Sequence, residues 1–274
     1  MSGRRDVLDR IAAALERIAP PVSAPTDWRA HPAYLWDGER ARALNAIDTV
    51  GLDRLRGIDR QKSAVCENLY RLASGAAAHD MLLWGARGMG KSALIRASVA
   101  GLSADKPAKV TLVQLSAGAL GTLPELIEQL ADQERAFLLF IDDLGFGAGE
   151  ASDVLVLRSL LDGGVVARPA NIRLAVTSNR RAIVSRDAHE AEAVHERDER
   201  DNALALADRF GLSLGFHPCD RETYLEILRA YTDPVGLEVD EEEALAWAIA
   251  RGNRSGRTAH QFACELAGRA GVAL

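Results

Sequence analysis

Short apolar runs alternate with amphipathic segments through the middle of the chain. Five of these runs lack alternation of polar and apolar residues, which is typical of parallel strands that are buried on both faces of a sheet. We predict these strands at residues 81–84, 110–115, 137–141, 172–177 and 212–216. Segments with apolar residues at helical spacing precede and separate them, at residues 60–74, 92–100, 120–134 and 150–162. This order predicts an α/β fold with a doubly wound parallel sheet.

The C-terminal part of the chain has a different pattern. After Pro218 the spacing of apolar residues is helical throughout. It predicts three helices, at residues 221–231, 241–251 and 258–270. We therefore expect a small helical domain at residues 218–274, following an α/β domain at residues 51–217.

Residues 1–50 form an N-terminal helix and arm in this interpretation. A helical pattern at 6–19 ends at two prolines, and residues 39–50 have a weakly helical pattern. Between them lies a Pro-rich extended segment, residues 20–38, which carries Trp28, Tyr34 and Trp36. Its aromatic rings either pack on the main domain or form a surface for a partner.

A glycine-rich turn follows the strand at 81–84 and leads directly into a helix. It reads Gly85, Ala86, Arg87, Gly88, Met89, Gly90, Lys91, Ser92, and then Ala93. Glycines allow successive backbone N–H groups to point at one anion, and the helix adds its unpaired N-terminal donors. Lys91 can reach the β- and γ-phosphates, and the Ser92 hydroxyl can ligate Mg²⁺. The turn therefore predicts a phosphate loop that binds a nucleoside triphosphate.

Polar residues follow the third and fourth predicted strands. Asp142 should hold Mg²⁺ opposite Ser92, since ligands of parallel sheets bind at the carboxyl ends of the strands. Asp143 is the candidate base or water-orienting group. Many ATPases of this build have Glu there, and Asp is one methylene shorter, so the water must sit nearer or the reaction will be slow. Asn179 follows the neighbouring strand and can contact the γ-phosphate or the attacking water.

Two arginines near the end of the chain are further candidates. Arg209 stands at a helix end on the edge of the domain, where it either stabilises the γ-phosphate in a neighbouring subunit or pairs with Asp208 or a carbonyl. Arg257 opens the last helix, where a positive charge is unfavourable unless an anion such as a phosphate lies nearby. Arg180 and Arg181 follow Asn179 and could reach phosphate, a neighbouring subunit or neither.

Composition limits the partners. The 274 residues are 48% hydrophobic and 26% charged with a formal net charge of −6, which does not indicate a broad nucleic-acid-binding surface. Cys66, Cys219 and Cys264 are too far apart for a disulfide framework or a zinc site, and they favour a reducing compartment. No apolar run approaches the length of a membrane span, and no signal-peptide core is visible. We expect a cytoplasmic protein.

A densely charged insertion, at about residues 182–203, separates the fourth strand from Arg209. It is either a solvated helix or loop, or an acidic surface that engages a partner or a neighbouring subunit.

The motifs that carry these residues occur in the order of an AAA+ ATPase. They are G-A-R-G-M-G-K-S, I-D-D-L-G, T-S-N-R-R, L-A-D-R-F-G and G-R-T-A-H-Q-F. They resemble the Walker A, Walker B, sensor 1, arginine-finger and sensor 2 segments. From about residue 50 to 270 the chain is similar to a bacterial family of uncharacterised AAA+-like ATP-binding proteins. The I-D-D-L-G segment also resembles that of bacterial initiator and helicase-loader ATPases.

This resemblance implies several features of fold and site. The five strands would lie in the order 5-1-4-3-2 and carry a helical lid. Gly57 and Ile58 would lie against the adenine, ATP would be the nucleotide, and the site would lie at a subunit interface.

We therefore expect a homo-oligomeric ATPase that uses ATP and Mg²⁺ to remodel or load an unidentified protein partner. The first alternative is a nucleotide-gated switch that scarcely hydrolyses ATP, and the second is a DNA-linked initiator or loader. A phosphate loop also occurs in kinases, but the segments that carry Arg209 and Arg257 argue against a kinase.

Overall fold

The computed structural model describes residues 26–104, 110–116, 118–145, 151–163, 168–179 and 206–274, together with positions 7, 10, 11 and 14. Its strands are β1 (Ala33–Trp36), β2 (Ala41–Leu44), β3 (Met81–Gly85), β4 (Val110–Leu115), β5 (Ala136–Ile141), β6 (Ile172–Ser178) and β7 (Leu212–Phe216). Its helices are α1 (Asp59–Ala73), α2 (Lys91–Ala104), α3 (Leu123–Ala131), α4 (Ala151–Leu161), α5 (Arg221–Thr232), α6 (Glu241–Ala250) and α7 (Gly256–Ala270). Single 3-10 turns lie at Leu52–Arg54, Leu120–Thr122 and Asp233–Val235.

All seven strands belong to one sheet, in the order β2-β1-β4-β5-β6-β3-β7. Every neighbouring pair is parallel except β1 with β2. Counted along the chain from β3, the five strands predicted from the sequence lie side by side as 5-1-4-3-2. The α/β class and the parallel arrangement are therefore confirmed.

Both faces of the sheet are covered, as the apolar runs predicted. All six residues of β5 are buried. Phe140 and Leu138 face one core, to which α1, α2 and the C-terminal helices contribute. Leu139 and Phe137 face a second core, formed with α3 and α4. Burial on both sides explains why these strands contain so few polar residues.

The N-terminal segment extends the sheet. β1 pairs with β4 and brings Trp28, Tyr34 and Trp36 into the second core, where the Trp28 ring lies edge-on to Phe137 with centroids 6.2 Å apart. The expected packing of these aromatics on the main domain is confirmed. The helical pattern at 39–50 is wrong, because residues 41–44 form β2.

Antiparallel pairing with β1 explains that error. The β2 sequence, A-R-A-L, contains good helix formers, but a partner strand overrides so weak a local preference. The helix predicted at 6–19 and the insertion at 182–203 lie almost entirely outside the described residues.

The turn after β3 is held by the neighbouring edge strand. The Ala86 N–H donates to the Phe216 carbonyl over 2.8 Å. A Cβ on Gly85, which has φ +118°, would stand 2.2 Å from that same carbonyl oxygen. Beside it, the Trp84 indole donates to the Ser213 hydroxyl over 3.2 Å. The phosphate loop therefore begins at a position that only glycine can occupy.

Helices α5, α6 and α7 pack together at the carboxyl edge of the sheet. Ser255 caps α7 by accepting a hydrogen bond from the Thr258 N–H. The segment before α1 contacts these helices, because the Arg54 guanidinium lies 5.5 Å from the centre of the Tyr231 ring on α5.

No helix among the described residues is long and apolar enough to cross a bilayer.

Candidate functional site

A cavity of about 370 Å³ opens between the phosphate loop, the carboxyl ends of β5 and β6, and the C-terminal helices. Nine of the residues singled out in the sequence line it: Gly88, Gly90, Lys91, Ser92, Ala93, Asp142, Asp143, Asn179 and Arg257. They come from four separate parts of the chain. Their convergence follows from the parallel sheet, which brings the strand ends to one edge.

Lys91 lies at the centre of this group. It is only 5% exposed, and its ammonium donates to the carbonyls of Gly85 and Ala86 and to Oδ1 of Asn179, each over 2.9 Å. Burial lowers the pKa of Lys91 to about 8, although the carboxylates of Asp143 and Asp142 act in the opposite direction. A buried cation whose partners are mostly neutral is suited to binding an anion.

Ser92 and Asp142 face each other across the cavity. The Ser92 hydroxyl donates to Oδ1 of Asp142 over 2.5 Å. The Thr177 hydroxyl donates to the same oxygen over 2.7 Å and so fixes the carboxylate. Hydroxyl and carboxylate oxygens are the ligands that Mg²⁺ prefers, so this pair fits the predicted metal.

Asp143 has a backbone conformation unlike that of any other described non-glycine residue. Its φ is +58°, in the left-handed region where Asp and Asn are tolerated. Its N–H donates to the Thr177 hydroxyl over 2.8 Å, and its carboxylate accepts a hydrogen bond from the Asn179 amide. These two bonds turn the Asp143 carboxylate towards Asn179 and the cavity.

Helix α7 begins on the phosphate loop. The Arg257 N–H donates to the Gly88 carbonyl over 3.0 Å. A Cβ on Gly88, at φ +75°, would stand 2.8 Å from the Ser255 hydroxyl oxygen and 3.0 Å from Cβ of Arg257. The contact brings Arg257 to the cavity and leaves no room for a side chain at position 88.

Gly57 and Ile58 do not line the cavity. The Cα of Gly57, at φ +72°, packs on Thr223 of α5, where a Cβ would meet the Thr223 methyl at 2.3 Å. Ile58 is buried, and its Cδ1 would lie 3.7 Å from a Cβ on Gly90. Gly57 therefore lies against α5, and Ile58 lies beside the phosphate loop at Gly90.

Arg209 lies away from the cavity. It forms an ion pair with Asp162, the residue after α4, on the side of the domain where β7 begins. Asp162 is a carboxylate partner that the sequence did not single out. Arg180 and Arg181 fall outside the described residues.

Several residues of the site are not among those that the sequence motifs predict. Thr177 ends a predicted strand, and its hydroxyl joins Asp142 to the Asp143 backbone. The cavity is also lined by apolar and aromatic side chains that carry no motif: Val50, Leu55, Tyr231 and His260. The T-S-N segment could have indicated Thr177, whereas the other four depend on how the helices dock.

A larger groove, of about 960 Å³, lies at the opposite, amino edge of the sheet. Two of its polar side chains, Asn171 and Arg135, bind backbone carbonyls. The Asn171 amide donates to the carbonyls of Leu130, Gln133 and Arg135, and Arg135 donates to the carbonyl of Arg29 over 2.7 Å. This groove brings together no set of groups comparable with those around Lys91.

Solved structures share this fold at low sequence identity. The ORC1 protein of Aeropyrum pernix, solved in complex with DNA, matches with a TM-score of 0.56 and 16% identity over 78% of this chain and 61% of that one. A mutant of Thermotoga maritima RuvB matches with a TM-score of 0.50 and 18% identity, over 78% of this chain and 63% of that one. A closed-state Hsp104 reconstruction matches with a TM-score of 0.51 and 18% identity, over 79% of this chain and 38% of that one. The chain thus spans less than two thirds of each protein.

These three proteins are AAA+ P-loop ATPases, and the present chain has their fold. A comparison with curated protein sequences finds no match. One family model covers residues 29–270, and the chain therefore belongs to the family described as "Protein of unknown function (DUF815)".

Proposed function

We propose that this chain binds ATP with Mg²⁺ in the cavity beside Lys91 and hydrolyses it to ADP and phosphate. The observation that carries the proposal is the convergence of a buried ammonium, a hydroxyl–carboxylate pair and a carboxylate–amide pair on one cavity. The AAA+ fold supports it, because relatives of that fold are ATPases.

Residues 85–92 would bind the phosphates. The loop offers backbone N–H groups and the N-terminus of α2, and Lys91 adds a positive charge. The bonds from Lys91 to the carbonyls of Gly85 and Ala86 hold its side chain across the loop, so little rotamer entropy is lost on binding. Arg257 would contribute a second positive charge from α7.

Ser92 and Asp142 would hold the metal, with Thr177 orienting the carboxylate. Mg²⁺ held by these residues would supply positive charge that offsets the negative charge developing on the phosphate oxygens.

Asp143 and Asn179 would act on the attacking water. Asn179 would orient the water, and Asp143 would accept its proton. The water oxygen bonds to the γ-phosphorus, the bond from that phosphorus to the β–γ bridging oxygen breaks, and ADP leaves with the electron pair. The products are ADP and inorganic phosphate.

Arg209 would act in a neighbouring copy of the chain. Its ion pair with Asp162 places it near the start of β7 and outside the lining of its own cavity, a position that supports a role at the nucleotide of a neighbouring subunit. A homo-oligomer with the site at a subunit interface would bring it to the γ-phosphate of the next subunit. The client would be a protein that the assembly remodels or loads, since a net charge of −6 does not favour the DNA-linked alternative.

In this proposal, residues 218–274 act as a lid on the α/β part at 51–217, whose sheet β1 and β2 extend from the N-terminal segment 1–50. The three thiols are free, which is consistent with a cytoplasmic protein.

The slow, nucleotide-gated switch is the second candidate. It is supported by the short Asp143 side chain, whose carboxylate is already engaged by Asn179. Replacing Asp143 with Glu separates the two: a large gain in rate supports the switch, and a loss of rate shows that the Asp geometry suits hydrolysis.

The test of the main proposal is Mg²⁺-dependent phosphate release from ATP by the full chain. Lys91→Ala should abolish it, while Lys62→Ala, which removes an ion-paired lysine on α1, should not. Equal activity of the Lys91→Ala variant and the wild type would contradict the proposal.

A further inference from the structure

The ladder between β5 and β6 stops just before the two aspartates of the site. Its last register pair is Ile141 with Val176, so regular strand pairing does not hold the residues that follow. Hydrogen bonds to a single residue, Thr177, hold them instead, from Asp142 to Leu144. Thr177 is thus the point at which β6 fixes this turn.

Each of these bonds reaches a different part of the turn. The Thr177 hydroxyl donates to Oδ1 of Asp142 over 2.7 Å, and it accepts from the Asp143 N–H over 2.8 Å. The Thr177 carbonyl accepts from the Leu144 N–H, also over 2.8 Å. Thr177 is only 1% exposed, so bulk water competes little with these bonds. Since a hydroxyl has one hydrogen and the Asp143 N–H faces a lone pair, that hydrogen is directed at Asp142.

The backbone conformation of Asp143 depends on this arrangement. Its φ of +58° lies in the left-handed region, which costs free energy in any residue that carries a Cβ. The N–H groups on either side of the Asp143 Cα, its own and that of Leu144, both donate to Thr177. These two bonds hold the unfavourable conformation in place, and with it the direction of the Asp143 carboxylate.

We infer that Thr177 is a positioning residue that sets both the metal carboxylate, Asp142, and the candidate base, Asp143, through one hydroxyl. This role rests on the proposed hydrolysis site and adds the base to what Thr177 does there. Because one side chain serves both aspartates, a change at Thr177 disturbs metal binding and proton abstraction together. The phosphate loop and Lys91 are left intact.

The experiment compares Thr177→Val with Thr177→Ser in the full chain. Valine matches the shape of threonine but has neither the donor nor the acceptor, whereas serine retains both. Thr111→Val is the matched control, because Thr111 is also a fully buried strand threonine, but its hydroxyl has no hydrogen-bond partner among the described residues. Electron paramagnetic resonance of Mn²⁺ in the presence of ADP measures metal binding, and phosphate release from ATP at saturating Mg²⁺ measures kcat.

We expect Thr177→Val to weaken Mn²⁺ binding about ten-fold, the usual effect of removing a partner that orients a metal ligand. Its kcat should fall about a hundred-fold, while its affinity for ADP without metal should change less than about two-fold. Thr177→Ser should stay within about three-fold of the wild type in each measurement, because both hydrogen bonds remain possible. Thr111→Val should match the wild type.

A double-mutant cycle shows whether Thr177 acts through the base. If it does, adding Thr177→Val to Asp143→Asn should lower kcat by less than about three-fold more, because the group that it positions is already disabled. A further fall of about a hundred-fold in that background would reveal a general disturbance of the site and overturn the inference.

Two results would overturn the inference and leave the proposed function standing: a Thr177→Val variant that hydrolyses ATP like the wild type, or a Thr177→Ser variant that loses as much as Thr177→Val. A wild type that hydrolyses no ATP would instead overturn the proposed function, and the base role given to Thr177 with it. If Thr177→Val shows no cooperative thermal unfolding, Thr177→Cys takes its place with the same expectations, because a thiol is a much weaker donor and acceptor than the hydroxyl of serine.

Discussion

The side-chain amide of Asn179 donates a hydrogen bond to the carboxylate of Asp143, although the two residues lie 36 positions apart. The oxygen of the same amide accepts from Lys91. One side chain therefore connects the candidate base to the cation that would bind the γ-phosphate. A phosphate that attracts Lys91 would also change the hydrogen bonds of Asn179, and with them the position of the Asp143 carboxylate.

Removing that connection should affect turnover more than binding. We expect Asn179→Ala to lower kcat about a hundred-fold, because Asp143 loses the partner that orients it. ATP affinity should change less than about three-fold, since Lys91 and the loop remain. Phosphate release and calorimetric titration measure the two quantities. A fall in affinity as large as the fall in kcat would show that Asn179 mainly binds nucleotide.

The positive φ of Asp143 allows its charge to be tested without disturbing the backbone. Asn tolerates this conformation as well as Asp does, so Asp143→Asn should keep the free energy of unfolding within about 0.5 kcal/mol. Its kcat should fall at least about a hundred-fold, the usual contribution of a general base. Thermal unfolding and phosphate release provide the measurements. An Asn variant that turns over normally would remove the base role.

The lowered pKa of Lys91 predicts a proton taken up with the nucleotide. Because burial lowers the pKa of Lys91 to about 8, part of the Lys91 population should be neutral at pH 8 before nucleotide binds, and the phosphate charge would restore the ammonium form. ATP binding should therefore take up a fraction of a proton at pH 8 and almost none from this group at pH 6.5. Calorimetry in buffers of different ionisation enthalpy measures the uptake.

Lys91→Arg serves as the control for that uptake, because a guanidinium stays protonated at both pH values. Uptake at pH 8 that persists in the Arg variant would assign the proton to another group.

A trans role for Arg209 can be tested by mixing two inactive variants. Arg209→Ala leaves each subunit its own cavity, whereas Asp143→Asn leaves it a normal Arg209. If the arginine acts on the neighbour, a mixture should hydrolyse ATP faster than either variant alone. The phosphate-release rate should peak at an intermediate ratio. No gain at any ratio, with mixed assembly verified by mass, would leave Arg209 a structural partner of Asp162.

Two glycines of similar backbone geometry isolate the contact between the lid and the loop. Gly75 has φ +73° with nothing near its Cβ position, whereas Gly88 has φ +75° and faces Ser255 and Arg257. Gly75→Ala should lower the free energy of unfolding by about 1 kcal/mol, from strain alone. Gly88→Ala should lower it by about 1–3 kcal/mol more and weaken ATP binding. Denaturant unfolding measures both, and equal losses would contradict the contact.

The site residues that could be predicted from the sequence are those that directly follow a strand of the parallel sheet. Asp142, Asp143 and Asn179 each follow an apolar run, and a parallel sheet brings such ends together whatever the helices do. The ion pair of Arg209 with Asp162 could not be predicted in this way, because it depends on how the end of α4 lies beside the start of β7. The residues next to Arg209 in the sequence do not indicate which carboxylate it pairs with.

The strand β2 and the aromatic residues that line the cavity could not be predicted from the sequence for related reasons. Residues 41–44 have helical preferences that pairing with β1 overrides. Tyr231 and His260 have the spacing of ordinary core residues on their helices, and only the docking of α5 on α7 directs their rings into a cavity. The way in which two helices dock produces no periodic pattern in the sequence, so it cannot be predicted from the spacing of apolar residues.

Trp84 gives the chain a built-in optical probe. Its indole stands at the end of β3, directly before Gly85, and lies edge-on to His217 with ring centroids 6.0 Å apart. Trp28 and Trp36 are sealed in the second core, and the Arg251 guanidinium covers Trp247 on the lid. Ultraviolet emission that responds to a ligand at the loop would therefore come chiefly from Trp84, so the filling of the loop can be followed in the unlabelled protein.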